Sequence, residues 1–521
     1  MKNSLFKILV CLPLFVTTVL NSRAQSSSSQ IEHYFDRVAE ARQLNGNILL
    51  AENGHVVTAR SFGYADFETR KRNTLDTRFN LASISKVFTS TAVLQLRDKG
   101  KLSLDDHLTK FFPDFIFPEV TIRHLLTHTS GLPDFDVFNT IAQKKSGKVI
   151  SNEDILPELK NWKRGLEFKP GDRYQYCNLG YDLLALVIEK VSGLSLATYL
   201  ERYIFKPAGM KNTYLSIYPN HFFYRDEACA KMHYQLHPYY DSTYVHADSS
   251  AQQERIQFGN YTCAGLVGSS GIISTTEDLL RFDRAFFEGR LLKPGTIEEA
   301  LIPLKLNNGE TFYDRHMDTM LGEGKMAIGL GWDIFELPGY GKSVGHGGFL
   351  YGNATFYFHN LESKQTIIAF DNTAGSEFGR IVTSSMYFLN DKKPLEIRNR
   401  RSLAFVYGST LVKQGPDAAA SALNAFKSDT AHYYVSEWEF NQLGGSLLYG
   451  SSFDNHQNLA LEVFKINTLL FPDSFNTYDS YAEGLRVAGK KHEAILMYKK
   501  SIALNPNNED GKRALEELLK N

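Results

Sequence analysis

Apolar positions follow two different periods along this chain of 521 residues. Near the start, Ile48-Leu49-Leu50-Ala51 and Val56-Val57-Thr58-Ala59 flank Asn53-Gly54, a pair that tolerates the positive φ of a tight turn. That pattern predicts a hairpin. Between there and the late strands the spacing is helical, over residues 87–96 and 181–191. Ser274-Thr275-Thr276-Glu277 reads as a capping box opening a helix through Leu280 and Phe282. Strand patterns return at residues 331–335, 354–358 and 366–370. Strands from both ends with helices between predict an α+β fold with one sheet built from both ends of the domain.

Composition shifts at Asp391-Lys392-Lys393-Pro394, which marks a domain boundary near residue 390. Beyond it the signals are helical and a repeat emerges. Ala460 and Ala494, Phe464 and Tyr498, Leu470 and Leu504, and Pro472 and Pro506 are each 34 residues apart. That period resembles the tetratricopeptide repeat, a helix pair that buries its apolar face by stacking on its neighbours. The clearest unit covers residues 475–507; the one before it has Gly444 and Ser451 where aromatics are usual, and residues 400–430 hold a degenerate pair. Residues 391–521 are thus expected to form an all-α tetratricopeptide-like region with room for a protein partner.

At the N-terminus Lys2 and Lys7 precede an apolar run over residues 8–20, followed by Ser22-Arg23-Ala24. The run is shorter than the roughly 20 residues of a spanning helix, so residues 1–24 read as a cleaved secretory signal. A periplasmic or secreted protein with no membrane span after cleavage is expected. Removing the segment takes away three basic residues and no acid, moving the net charge from −1 to −4. That balance points to no nucleic-acid partner. Hydrophobic residues at 43% and charged residues at 22% are ordinary for a globular chain. Cys177, Cys229 and Cys263 remain after cleavage, too few and too odd for a disulfide scaffold, although a Cys229–Cys263 bridge is open. His124 and His128 are four apart, but Leu125 stands where a zincin needs glutamate. No metal and no cofactor is expected.

Three stretches carry candidate chemistry. In Ser83-Ile84-Ser85-Lys86, a helix starting near Ser83 would bring the lysine amine to the serine hydroxyl, and a hydroxyl needs such a base to become a nucleophile. In Tyr176-Cys177-Asn178, an extended backbone would point Tyr176 and Asn178 the same way. In Gly345-His346-Gly347-Gly348, just before a late strand, the glycines allow close backbone approach, and the N–H of Phe349 could join that of Ser83 as an oxyanion hole. Each alone is weak. Ser4 to Lys7, Tyr218-Pro219-Asn220 and Tyr351-Gly352-Asn353 match the same short patterns without chemical meaning.

Taken in order, the three resemble the serine β-lactamase and penicillin-binding-protein superfamily, on the branch of class C β-lactamases, D-aminopeptidases and esterases. The resemblance covers about residues 30–390. It extends to Phe79-Asn80-Leu81-Ala82, to His124-Leu125-Leu126-Thr127-His128-Thr129-Ser130-Gly131-Leu132, to the stretch GLVGSSGIISTTED at residues 265–278, and to Gly329-Leu330-Gly331-Trp332.

The resemblance implies a β-lactamase/transpeptidase-like domain over residues 25–390, an antiparallel sheet flanked by helices, in which Ser83 is acylated, Lys86 and Tyr176 share the general-base work, and Asn178 supports them. It implies that His346, Gly348 and Phe349 line the substrate, with His346 where β-lactamases carry a lysine. A histidine is largely neutral at pH 7, which favours a small amide, ester or D-amino-acid peptide substrate over a β-lactam. Two alternatives are a β-lactamase and a silent binding or sensor protein docking partners through the helical tail.

Overall fold

The computed structural model describes residues 30–139, 141, 149–217, 225–235, 237–246, 262–314, 321, 324–450 and 454–520. The leader read in residues 1–24 and the Tyr218-Pro219-Asn220 match lie outside them. The chain divides into two compact units. One runs to Tyr234 and includes His246–Ile397; the other consists of Gln235–Val245 and Arg398–Asn521.

The first unit is built on seven strands: β1 (Gly46–Glu52), β2 (His55–Ser61), β3 (Lys325–Ile328), β4 (Asp333–Leu337), β5 (Gly341–Leu350), β6 (Asn353–Asn360) and β7 (Gln365–Asp371). Their order is β3-β4-β5-β6-β7-β1-β2, with every neighbouring pair antiparallel. The β7–β1 ladder joins the two ends of the unit, as the strand pattern predicts. Side chains alternate across the sheet. Leu49 and Ala51 enter a core shared with the helices α1 (Ser85–Asp98), α2 (Ile122–Leu126), α3 (Asn178–Ser192) and α4 (Thr276–Phe287). Ile48 and Leu50 enter a second core with Phe378, Ile381 and Val382 of α5 (Phe378–Leu389). Burial on both faces explains why β1 and β7 read as near-continuous apolar runs.

Two local readings are corrected. The cap of α4 is Thr275, whose side chain accepts the Asp278 N–H, one residue later than the predicted box. The carboxylate of Asp278 is engaged elsewhere, by the Asn212 N–H and the Thr213 hydroxyl. The Gly345–Gly348 stretch lies inside β5 rather than ahead of a strand. Cys229 is a buried free thiol, and the Cys263 side chain lies outside the described residues.

From Arg398 on, the second unit is helical apart from a short pairing of Arg401–Ser402 with Tyr433–Tyr434. Its helices are α6 (Leu403–Gln414), α7 (Pro416–Phe426), α8 (Glu437–Gly450), α9 (His456–Leu470), α10 (Phe475–Val487), α11 (Lys491–Leu504) and α12 (Glu509–Lys520). Ala460 and Ala494 are both buried, as are Phe464 and Tyr498. The Phe464 ring fills the space beside Gly444, where a Cβ would come within 2.4 Å of it, and beside Gly484, at 2.9 Å. Gly444 is therefore a packing choice around Phe464. Among the described residues no single helix is long and apolar enough to cross a membrane.

Candidate active site

Ser83 sits on a tight approach between a strand and a helix. Phe79–Asn80 pairs with Ile272–Ser274, and the Leu81 N–H continues the ladder to the Ile272 carbonyl at 2.8 Å. A 3₁₀ turn, Ala82–Ile84, then leads into α1 at Ser85, so Ser83 precedes the α-helix proper. Ala82 has φ of 48°, an unfavourable conformation for a residue with a Cβ. Such strain, of order 1–3 kcal/mol, persists only where its surroundings enforce it. Here the Asn80 side chain accepts the Ala82 N–H at 2.9 Å, and Asn353 and Thr355 of β6 donate to the Asn80 and Leu81 carbonyls, each at 2.9 Å. Gly348 of β5 presses against the same turn. A Cβ there would lie 2.3 Å from Thr355 Oγ1 and 2.6 Å from the Leu81 oxygen.

Lys86, one turn on, is fully buried. Its Nζ lies 3.1 Å from Ser83 Oγ, 2.9 Å from Asn178 Oδ1 and 3.0 Å from the Ser269 carbonyl. The orientation of Asn178 is fixed because its Nδ2 donates to Asp134 Oδ2 at 3.0 Å. Asn178 is the first residue of α3, whose Leu179 N–H is taken by the other Asp134 oxygen at 3.0 Å. Two of the three lysine partners are thus carbonyl oxygens that can only accept. As an ammonium Lys86 donates to all three; once it loses a proton, two hydrogens serve these carbonyls and a lone pair is left for Ser83. Burial disfavours the ammonium and pulls the Lys86 pKa down, while the charges of Asp182 and Asp134 oppose that shift. Asp182, one turn into α3, is buried and accepts the Ser269 N–H at 2.8 Å; burial pushes its carboxyl up.

The Tyr176 phenol shares a hydrogen bond with Ser83, and burial raises its pKa well above 10, so it carries its proton at neutral pH. The Lys86 Nζ lies 4.8 Å from the ring centroid. The opposite support comes from His128, stacked on Tyr176 at 4.4 Å and 23°. His128 Nδ1 accepts the Cys177 N–H at 3.1 Å. Burial first, then the nearby Lys86 charge, hold His128 well below the usual histidine value, so it is neutral. Cys177 is buried, with its thiol pKa raised by that burial.

His346 lies on β5, buried, with Nδ1 bonded to the Gly347 carbonyl and 4.0 Å from Asp333 Oδ2. Burial pulls its pKa down despite Asp333, which keeps the ring neutral at pH 7. Among the described residues β4 covers β5 only as far as Gly345, and residues 346–350 pair with no strand on that edge. The Gly347 N–H points to that edge, where it donates to Asp333. Alternate residues of a strand face the same way, so the Phe349 N–H points there too, while its side chain is 64% exposed.

The structure therefore brings Ser83, Lys86, Tyr176 and Asn178 into direct contact, with Gly348 against the turn that carries Ser83. His346 stands on the adjoining edge, near enough to Lys86 for the lysine charge to lower its pKa and near enough to His128 to act on that ring in turn. His124 turns away, its Nδ1 accepting the Thr121 N–H in the cap of α2. Sequence reading missed Asp134, Asp182 and the stacking role of His128. The first two carry no motif, and His128 showed only as part of a framing stretch.

Residues 31–385 match the family described as Beta-lactamase. Penicillin-binding protein 4* of Bacillus subtilis (strain 168) is 33% identical over 351 residues, 67% of this chain and 72% of that protein. The octameric penicillin-binding protein homologue from Pyrococcus abyssi superimposes with a TM-score of 0.56 at 26% identity, over 70% of this chain and 78% of that one. D-amino acid amidase from Ochrobactrum anthropi SV3 shares the fold, with a TM-score of 0.55 at 22% identity over 71% of this chain and 99% of that one. With that match spanning most of the first unit, the chain belongs to the β-lactamase family and is a serine hydrolase of the superfamily that includes the penicillin-binding proteins.

Proposed function

We propose that this chain is an exported acyl-serine hydrolase with Ser83 as nucleophile, acting on small amides, esters or D-amino-acid peptides. One observation carries the reading: Lys86 Nζ is 3.1 Å from Ser83 Oγ, while two carbonyls hold its other positions. Neutral Lys86 takes the Ser83 proton as Oγ attacks the substrate carbonyl. The developing oxyanion is received by the N–H groups of Ser83 and Phe349. Tyr176 hands a proton to the leaving group and regains one from Lys86, leaving an acyl-enzyme on Ser83. Water then attacks the ester by the same steps in reverse roles.

Neutral His346 supports a substrate flank without a carboxylate, since it offers no fixed cation for one. The solved D-amino acid amidase is consistent with a small amide in a fold of this kind. The helical unit, with its 34-residue spacing of Ala460 and Phe464 against Ala494 and Tyr498, is read as a tetratricopeptide-like module that docks a protein partner. Export rests on the leader-like residues 1–24, toward the periplasm or beyond.

Covalent labelling by a fluorescent penicillin or a fluorophosphonate tests the nucleophile. Ser83→Ala should abolish it in otherwise folded protein; equal labelling of wild type and variant would overturn the assignment.

A further inference from the structure

A second cluster of chemically capable side chains lies in the first unit, apart from Ser83. Asp66, His233 and His246 bring their donor atoms within 4.8 Å of one another. His246 Nε2 is 3.7 Å from Asp66 Oδ1 and 3.5 Å from Glu68 Oε2. The two imidazole rings are 4.5 Å apart, and the Phe67 ring packs edge-on against His233 at 4.8 Å.

We propose that Asp66, His233 and His246 form a binding site for a divalent transition-metal ion of zinc's kind. Two imidazoles and a carboxylate are the donor set such borderline ions prefer, whereas calcium and magnesium favour all-oxygen sites. With bonds of about 2.0–2.1 Å, donors around a tetrahedral ion stand roughly 3.3 Å apart. The observed separations need only small side-chain rotations to reach that. Glu68, on the exposed side, or a water would complete the fourth position.

His233 is prepared for such a role. It is 1% exposed, so its ring is held in place by the surrounding side chains. Its Nε2 receives a long 3.4 Å contact from the Phe67 N–H, which a metal ion could displace. His246 has a quarter of its side chain open to solvent, which gives an ion a way in. A simple ion-pair cluster would explain His246 between two carboxylates, but it gives the buried His233 ring beside it, 4.5 Å away, no part.

The site would be structural. The His233 backbone lies under Gly352, where a Cβ would meet its carbonyl oxygen at 2.4 Å. Gly352 forms the turn joining β5 to β6, the strands that hold Gly348 and Asn353 against the Ser83 approach. An ion on His233 braces that turn from behind.

The test uses the full chain, stripped with EDTA and titrated with zinc chloride by calorimetry, alongside His246→Ala. His246 is partly exposed, so this variant should fold, which near-ultraviolet circular dichroism and labelling of Ser83 would verify. Wild type should bind one zinc ion that His246→Ala binds about 100-fold more weakly or worse, beyond what loss of a supporting partner usually costs. Zinc should raise the melting temperature of wild type alone. No uptake by wild type, or equal stoichiometry and affinity in the variant, would overturn the proposal.

Discussion

The imidazole of His128 lies flat against the ring of Tyr176, 4.4 Å away, while its Nδ1 holds the N–H of the very next residue, Cys177. One neutral side chain thereby sets both the plane of the phenol and the entry into α3. Replacing His128 by Ala leaves a cavity under Tyr176 and an orphaned buried N–H. Stability should fall by about 2–4 kcal/mol in urea unfolding. kcat should fall on the order of 100-fold with KM little changed, because a displaced phenol costs alignment rather than binding. His128→Asn, whose amide oxygen can still accept from Cys177, should recover part of the stability and little of the rate. The folded state holds His128 below its unfolded value of about 6.5, so its contribution is complete above that pH and is lost as pH falls through the interval beneath it. The stability gap between wild type and His128→Asn should therefore narrow in acid.

On the proposed mechanism, Lys86 and the Asp182 charge near it set the pH at which the base is ready. Burial depresses the lysine, and the Asp182 charge works against that depression. kcat/KM should rise with pH as Lys86 loses its proton, with an inflection well below the ordinary lysine value of about 10.4. Asp182→Asn keeps an oxygen for the Ser269 N–H but removes the charge. Its inflection should move further to the acid side. A pH–rate profile superimposable on that of wild type would show that Asp182 is uncharged in the working enzyme.

The strands and helices were legible where burial is one- or two-sided and regular: 48–51, 87–96 and 366–370 all fall inside observed elements. β5 was not. Its run Gly345-His346-Gly347-Gly348 has the composition of a turn, because the need for backbone to approach Leu81 and Ala82 outweighs strand propensity. The Ser83–Lys86 contact could be read from spacing alone, since both lie on one stretch of helical chain. Its other supports could not. Ser269 reaches Lys86 and Asp134 reaches Asn178 from distant segments, while Asp182 acts through the Ser269 N–H; neither aspartate carries a motif, and Ser269 stood only within a framing stretch. The same holds for Asp66, His233 and His246, which no local spacing connects.

On the proposed function, His346 sets whether the site welcomes a carboxylate. Its neutral ring stands 4.0 Å from Asp333, in a buried position on β5. His346→Lys places a fixed cation there, with Asp333 to offset part of its burial. A charge-assisted hydrogen bond contributes about 1.5–3 kcal/mol, so acylation by a carboxylate-bearing penicillin should accelerate on the order of tenfold or more. Hydrolysis of an uncharged ester should not gain. Stopped-flow labelling with both substrates separates the outcomes, and an equal change in the two would assign His346 some role other than choosing charge.

The helical unit includes a piece of chain from far upstream. Tyr240 is 6% exposed in a core with Leu403, Tyr407, Leu411 and Leu443. Gly408 is pressed so near the Tyr239 carbonyl that a Cβ would lie 2.7 Å from it. Deleting residues 398–521 therefore removes more than a docking module. It strips Gln235–Val245 of every apolar partner it has in that core and leaves two tyrosines in a loop exposed to water. Burial of one large side chain is worth about 1.5–3 kcal/mol, and a bared apolar patch invites association. The truncated chain should melt lower and aggregate in light scattering, while its soluble fraction still labels at Ser83. Adding Tyr239→Ser and Tyr240→Ser to the truncation should restore solubility without altering the labelling rate. If truncation alone leaves melting and solubility untouched, the upstream segment draws no stability from the helices.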